Sequence, residues 1–267
     1  MKRALILLII LYPALSFSQD ENPATDSLKK YSYLLSGHLN EHTPIQGTCF
    51  FIKEGDKTLL ITAAEIIGNW DALHFKDILS PDVLNIRLYN KTTGKPAWFK
   101  LNFTKAKKEF AKIKWYQSPD VYALPIDIPA GYDINPMTQS LKVAVNNTNP
   151  KRSVYFGYPK MAGDLSEQLP ATGYGRIKPD PRELENGQIR KYDTMSYSIA
   201  ARQFEENTGF SGSPLFWELP NGNIVFRGIV WGADAGNMYL IKPEQVSAAI
   251  AKNINYEALH PVLVSGN

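Results

Sequence analysis

The sequence predicts an all-β protein of barrel or sandwich class, arranged in two halves and ended by a helix. Three observations predict it. Short β-branched, aromatic or aliphatic runs recur along the chain with Gly, Pro, Asn and Asp between them. Apolar residues at convincing helical spacing appear only after Pro243. A length of 267 residues suits one large β domain or two fused barrels.

Taken in order, the first element is a leader. Lys2 and Arg3 precede an apolar run from Ala4 to Leu15, and Ser16 and Ser18 flank Phe17, the pattern of an export signal over residues 1–18 with cleavage before Gln19. That run is too short to span a bilayer, and no later stretch approaches the roughly 20 apolar residues a span needs. The expectation is therefore a secreted or periplasmic chain with no membrane span after signal removal, an uncleaved anchor being the alternative.

Gly47 to Lys53 and Thr58 to Ala63 are strand runs joined by Glu54-Gly55-Asp56-Lys57, a hairpin signal. Val83 to Tyr89 and Ala97 to Phe103 flank the turn-rich segment Asn90 to Pro96, and Val121 to Ile126 forms another buried strand. Residues 127–150 are rich in Pro, Gly, Asn and Asp, with Leu141 to Val145 the one strand-like run. The halves are placed at 19–140 and 141–267 on that ground. In the second half, strands are expected at Val154 to Tyr158, Thr172 to Ile177, Thr194 to Ala200, Pro214 to Trp217, Ile224 to Trp231 and Met238 to Ile241. From Pro243, the spacing of Val246, Ala249 and Ile250 predicts an amphipathic helix, with proline in its favoured first turn.

Charge argues against two classes of partner. The formal charge of +3 includes Lys2 and Arg3 and falls to +1 without them, so neither nucleic acid nor an anionic membrane surface is implied. Lys105, Lys107, Lys108, Lys112 and Lys114 cluster, but Ala106, Phe110 and Ile113 alternate with them, as on a solvated face. Cys49 is the single cysteine, so no intrachain disulfide can form and stability must come from the core. Within Thr48-Cys49-Phe50-Phe51 it is expected to be a small buried hydrophobe. No metal and no cofactor is expected.

The segment carrying most chemistry is Asn207-Thr208-Gly209-Phe210-Ser211-Gly212-Ser213-Pro214, where small residues surround one serine just before a strand. Glycines let backbone bend tightly and approach a ligand. In an acyl-transfer site such a turn exposes the serine oxygen and aims the N–H groups of Gly209 and Ser211 at a developing oxyanion. An ordinary Gly-Ser turn has the same composition, so the neighbouring segments decide.

Those segments are Gly47-Thr48-Cys49-Phe50-Phe51, Thr62-Ala63-Ala64, Asp120-Val121, Val154-Tyr155-Phe156-Gly157-Tyr158-Pro159 and Gly228-Ile229-Val230-Trp231-Gly232. With Gly209-Phe210-Ser211-Gly212-Ser213-Pro214 they resemble, in order and spacing, the chymotrypsin/trypsin-like serine peptidase superfamily, particularly its compact bacterial members without disulfides. The resemblance covers about residues 45–252 and implies a double barrel of two six-stranded antiparallel β-barrels. It implies that Ser211 matches the nucleophile and Asp120 the carboxylate orienting the base, with Gly209 and Ser211 supplying oxyanion-hole amides. Trp231-Gly232 resembles the strand that pairs with substrate backbone by β-augmentation, with the register at Val230 and Trp231 open by one residue.

The departure falls at the general base, because the family's Thr-Ala-Ala-His reads Thr62-Ala63-Ala64-Glu65. Histidine works there because one ring nitrogen takes the serine proton while the carboxylate holds the other. Glutamate has no second handle. Beside Asp120 it would make two adjacent carboxylates, one of which is expected to keep its proton. Of the four histidines, His38 and His42 are expected to precede the first strand, His260 lies in the tail, and His74, nine residues past Glu65, is the least implausible stand-in. Phe210 replaces the aspartate with which many animal relatives trap a freshly cut N-terminus, so activation by that ion pair is not expected. Glu205 and Glu206 lie where the family builds its specificity pocket, giving either a preference for Lys or Arg or plain loop acids.

Three functions remain open at this level. The first is a degenerate homologue that binds protein, peptide or glycan in the old cleft; the second is a serine hydrolase with a non-standard base; the third is an envelope scaffold with a closed cleft. Labelling of Ser211 by a fluorophosphonate separates the first two, and a pocket filled by Trp231 or Phe210 favours the third.

Overall fold

A computed structural model describes residues 26–38, 44–67, 69–70, 77–78, 81–110, 121–138, 152–159, 165, 168–183, 189–197, 209–234 and 237–264. The leader, the expected strand Leu141 to Val145 and the expected boundary at 140/141 lie outside these residues. Strands β1 (Tyr33–His38), β2 (Pro44–Glu54), β3 (Lys57–Ala63), β6 (Val83–Asn90), β7 (Pro96–Asn102), β8 (Val121–Pro125) and β9 (Tyr132–Asp133) build the first sheet, while β4 (Asn69–Trp70) and β5 (Asp77–Ile78) pair separately. The first sheet runs β16-β7-β6-β1-β2-β3-β8, with β9 added on β6 and β16 (Val262–Leu263) arriving from the C-terminus. Strands β10 (Arg152–Gly157), β11 (Ala171–Glu183), β12 (Ile189–Tyr197), β13 (Pro214–Glu218), β14 (Ile224–Asp234) and β15 (Asn237–Ile241) close a six-stranded barrel in the order β10-β11-β12-β15-β14-β13. Every neighbouring pair in both sheets is antiparallel. The second half is thus the expected six-stranded barrel, and the first is a curled sheet with a wider strand set.

The hairpin β2–β3 turns at Gly55, whose φ of 61° suits glycine. Its continuous apolar runs, Cys49 to Ile52 and Leu59 to Ile61, follow from burial on both faces. Cys49, Phe51 and Leu60 face the core of the first sheet. Phe50, Ile52, Leu59 and Ile61 face the other way, onto Phe156, Phe216, Phe226 and Ile241 of the barrel and Val246, Ala249 and Ile250 of the helix Pro243–Asn253. The wall β2–β3 is therefore shared by two cores. Cys49 is fully buried, and burial pushes its thiol pKa up, so it behaves as a small hydrophobe.

Both ends of the described residues cross between the halves. The 3-10 turn Ser27–Tyr31 lies on the barrel: Leu28 joins its core, and Ser32 Oγ donates to Phe156 O at 2.9 Å. In the opposite direction, Leu259 bridges to Ile126 and β16 pairs with β7, opposite Phe99 and Lys100.

Some local readings need correction. A strand, β1, precedes Gly47, so His38 ends the first strand instead of preceding it. Among the described residues two α-helices precede the C-terminal one, Ala64–Ile67 and Thr104–Phe110, each too short to show a period. The lysine segment from Lys105 is helical to Phe110, with Lys105 on Glu257 and Lys107 on Asp82, both at 2.7 Å. Among the described residues no helix is long and apolar enough to cross a membrane.

Tyr33 offers a test of this packing. It is 3% exposed, its ring stands edge-on to Phe51 at 4.7 Å, and its hydroxyl accepts the Asn135 N–H at 2.6 Å. Burial raises its pKa from 10.0 to about 12. The folded state therefore favours the neutral phenol, and stability present below pH 10 should be lost as pH climbs through about 12, amounting to roughly 3 kcal/mol. Tyr33→Phe should cost about 1–2 kcal/mol at neutral pH, because the Asn135 N–H loses its acceptor, yet flatten the alkaline limb of a Tm-against-pH curve. An equally steep limb in the variant would refute the assignment.

Candidate active site

Ser211 lies in a turn gripped from several strands. Gly209 and Gly212, on either side of it, have φ of 97° and 86°, a region L side chains rarely adopt, so the motif's glycines allow the backbone to reverse twice around one serine. Thr48 N–H donates to Ser211 O at 2.8 Å, Gly212 N–H to Val230 O at 2.7 Å, and Ser213 N–H to Phe210 O at 2.9 Å. A trans peptide holds its C=O and N–H antiparallel. With Phe210 O turned in to Ser213, the Ser211 N–H points out of the turn, the direction an oxyanion donor requires.

The turn is also packed without slack. A Cβ on Gly212 would lie 1.9 Å from Thr48 O and 2.5 Å from Thr62 Oγ1, and one on Gly157 would lie 2.0 Å from Ser213 Oγ. Only glycine at 157 and 212 lets β10 and the serine turn close on β2 and β3. Phe210 anchors the other side: it is fully buried among Tyr155, Leu215, Val230 and Leu240, with its ring 5.2 Å from Tyr155 and nearly perpendicular to it. The turn is thus held by apolar packing where the resemblance puts an ion pair. Ser211 itself is 8% exposed.

Glu65 is the second residue of the helix Ala64–Ile67, immediately after β3, and is half-buried. Its carboxylate lies against Gly232, where a Cβ would be 3.3 Å from Oε2 and 3.9 Å from Oε1. Glu65 and Ser211 therefore flank the same stretch of β14. Val230 takes the amide next to Ser211, and Gly232 touches Glu65.

Trp231 sits between them at a break in register, since Val230 pairs with Leu240 while Gly232 pairs with Tyr239. This bulge inserts one residue into β14, the physical source of the one-residue ambiguity in the sequence. The Trp231 indole is half-buried, packs against both cores and stands 6.0 Å from the Tyr239 ring.

Asp120, Glu205, His42 and His74 lie outside the described residues. His38 is exposed at the end of β1, and His260 pairs with Asp127 at 3.0 Å, both about two-thirds exposed. Sequence reasoning missed Thr48, Thr62 and Gly157 as parts of the site. Thr48 and Thr62 are fully buried polar residues in otherwise apolar runs, and that interruption was the available signal.

A trypsin-like serine protease fold, with Ser211 in its motif turn and Glu65 following β3, is what these elements define. Solved structures bear out the fold. The active form of the Rv3671c protease from M. tuberculosis shares 17% identity and superposes with a TM-score of 0.53, over 89% of this chain and 86% of that one. A thermostable serine protease from an extremophilic microorganism gives 12% identity and 0.51, over 84% and 97%. An HtrA-type protease, an AlgW variant solved with a tripeptide, gives 14% and 0.51 over 87% of this chain, which spans 63% of that one. No protein-family model matches the sequence, and neither does any curated protein.

Proposed function

We propose that the protein is an exported, catalytically degenerate homologue of serine peptidases that binds protein or peptide in its cleft. The observation carrying this reading is Glu65. It is the second residue of the helix after β3, where the resemblance expects the general base, and lays its carboxylate on Gly232. A carboxylate in that place is a weak base near neutral pH when ionised and no base when protonated. Loss of a triad member typically costs about four to six orders of magnitude in turnover.

The binding half of the reading rests on β14. Gly232, Ala233 and Asp234 pair with β15 on one edge, while β13 ends its pairing opposite Ile229. Among the described residues no strand pairs with the other edge of Gly232, Ala233 and Asp234, which is the geometry for adding a peptide strand by main-chain hydrogen bonds. Export is supported by Lys2, Arg3 and the apolar run after them.

The expected result with the native chain is no covalent labelling of Ser211 by a fluorophosphonate, and turnover on a broad peptide library indistinguishable from Ser211→Ala, with peptide binding kept in both. Labelling at Ser211 together with turnover lost in Ser211→Ala would replace this reading with an active serine hydrolase using a non-standard base.

A further inference from the structure

Thr48 makes more contacts with the serine turn than its place in a strand requires. It is fully buried on β2 and pairs with Leu34 of β1. Its hydroxyl has one proton and two lone pairs, and it uses both functions: it donates to Gly209 O at 2.9 Å and accepts the Tyr158 N–H at 3.0 Å. Its backbone N–H donates to Ser211 O at 2.8 Å, and its carbonyl accepts Thr62 Oγ1, also at 2.8 Å. One residue thus draws in the carbonyls on both sides of Phe210-Ser211.

We propose that Thr48 is a positioning residue for the serine turn, its hydroxyl fixing the Gly209–Phe210 peptide and so the placement of Gly209 and Ser211 as oxyanion donors. The inference rests on the reading of this turn as the working part of the cleft. Gly209 has φ of 97° and no side chain to resist rotation, so its carbonyl needs an external anchor. Thr62 holds Thr48 from the next strand, and Tyr158 fixes the hydroxyl rotor by occupying one lone pair. The Gly209 carbonyl, and with it the Cα that carries the Gly209 N–H, is thereby held before any ligand arrives, and such preorganised backbone is what oxyanion stabilisation depends on.

Thr48→Val keeps shape and removes only the hydroxyl, and Thr48→Ser restores it. In the full chain, Thr48→Val should move the Gly209, Phe210 and Ser211 amide resonances and lower hydrogen-exchange protection of the Tyr158 N–H roughly tenfold, the worth of one lost hydrogen bond. Thr48→Ser should return both to native values. Unchanged resonances at Gly209 and Ser211 in Thr48→Val, or failure of Thr48→Ser to restore them, would overturn the proposal. Should Thr48→Val not fold, the native protein decides. A slowly exchanging Thr48 hydroxyl proton with a nuclear Overhauser contact to the Tyr158 amide is expected, and rapid exchange with water would overturn it. None of these readouts needs a reactive Ser211, so silence of Glu65→His towards a fluorophosphonate would count against the cleft reading alone.

Discussion

Glu65→His is expected to create serine hydrolase activity, raising covalent labelling of Ser211 by a fluorophosphonate at least about a thousandfold over the native chain. The expectation comes from what is already in place. Gly209 and Gly212 turn the backbone through positive φ, the Phe210 carbonyl is tied to Ser213, and the Ser211 N–H faces outward. Glu65 touches Gly232 of the same strand segment whose Val230 carbonyl holds Gly212, so an imidazole at 65 would start from the right side of the cleft. Activated esters should be hydrolysed before amides, since they demand less of the leaving-group acid. If Glu65→His folds with native thermal stability and Ser211 stays unlabelled, the missing-base account fails and a closed pocket becomes the better explanation. If the native chain labels and Glu65→His loses activity, Glu65 was taking part and the degenerate reading falls.

The second large effect is expected at Arg87, which is 1% exposed on β6. Its guanidinium donates through Nη1 to Leu165 O at 2.5 Å and through Nη2 to Gln168 O. Its central carbon lies 5.3 Å from the Tyr158 ring centre, 5.7 Å from Tyr89 and 6.0 Å from Trp98. Gln46 adds to the same junction, donating to Tyr158 O, Pro159 O and Gln168 Oε1. The first sheet thus holds the segment after β10 through one buried cation and one amide. Arg87→Met should leave two carbonyls unpaired and a slot between aromatic rings, costing about 3–5 kcal/mol. For a chain of this size that is a fall in Tm of roughly 10 °C by circular dichroism. Arg87→Lys keeps the charge without the planar fork and should recover only part of the loss. A neutral or stabilising Arg87→Met would show that the cation is replaceable by apolar packing, as happens for some buried ion pairs.

Legibility in the sequence followed the range of the interactions involved. The hairpin at Gly55, the pair β6–β7 and the helix from Pro243 were all readable, because turn residues and apolar spacing act within a few positions. The helices Ala64–Ile67 and Thr104–Phe110 were not, having at most two turns in which to display a period. Strand β1 was missed because Ser36 and Gly37 interrupt its apolar run; a Cβ at Gly37 would lie 2.6 Å from Leu84 Cδ2 and 3.2 Å from Val83 O, so a larger residue there would push on β6. For the site, the motif around Ser211 and the odd residue at Glu65 stood out by residue type and order. The roles of Thr48 and Gly157 did not, since each depends on contacts more than fifty positions away along the chain.

By itself the sequence determined the strand-rich class, the lack of any intrachain disulfide, the serine turn and a glutamate, Glu65, where the resemblance expects a histidine, because composition, local periodicity and short motifs are written in contiguous residues. Tertiary structure alone decided that β2 and β3 serve two cores at once, that the turn before β1 and the strand β16 cross between the halves, and that Glu65 rests on Gly232 beside a bulge at Trp231. It alone decided as well that Thr48, more than a hundred and fifty residues from Gly209, holds that carbonyl. The physical reason is one of range. Propensity and periodicity act between neighbours, whereas burial on a second face, a close approach that only glycine permits and a hydrogen bond across two strands exist once distant segments have packed.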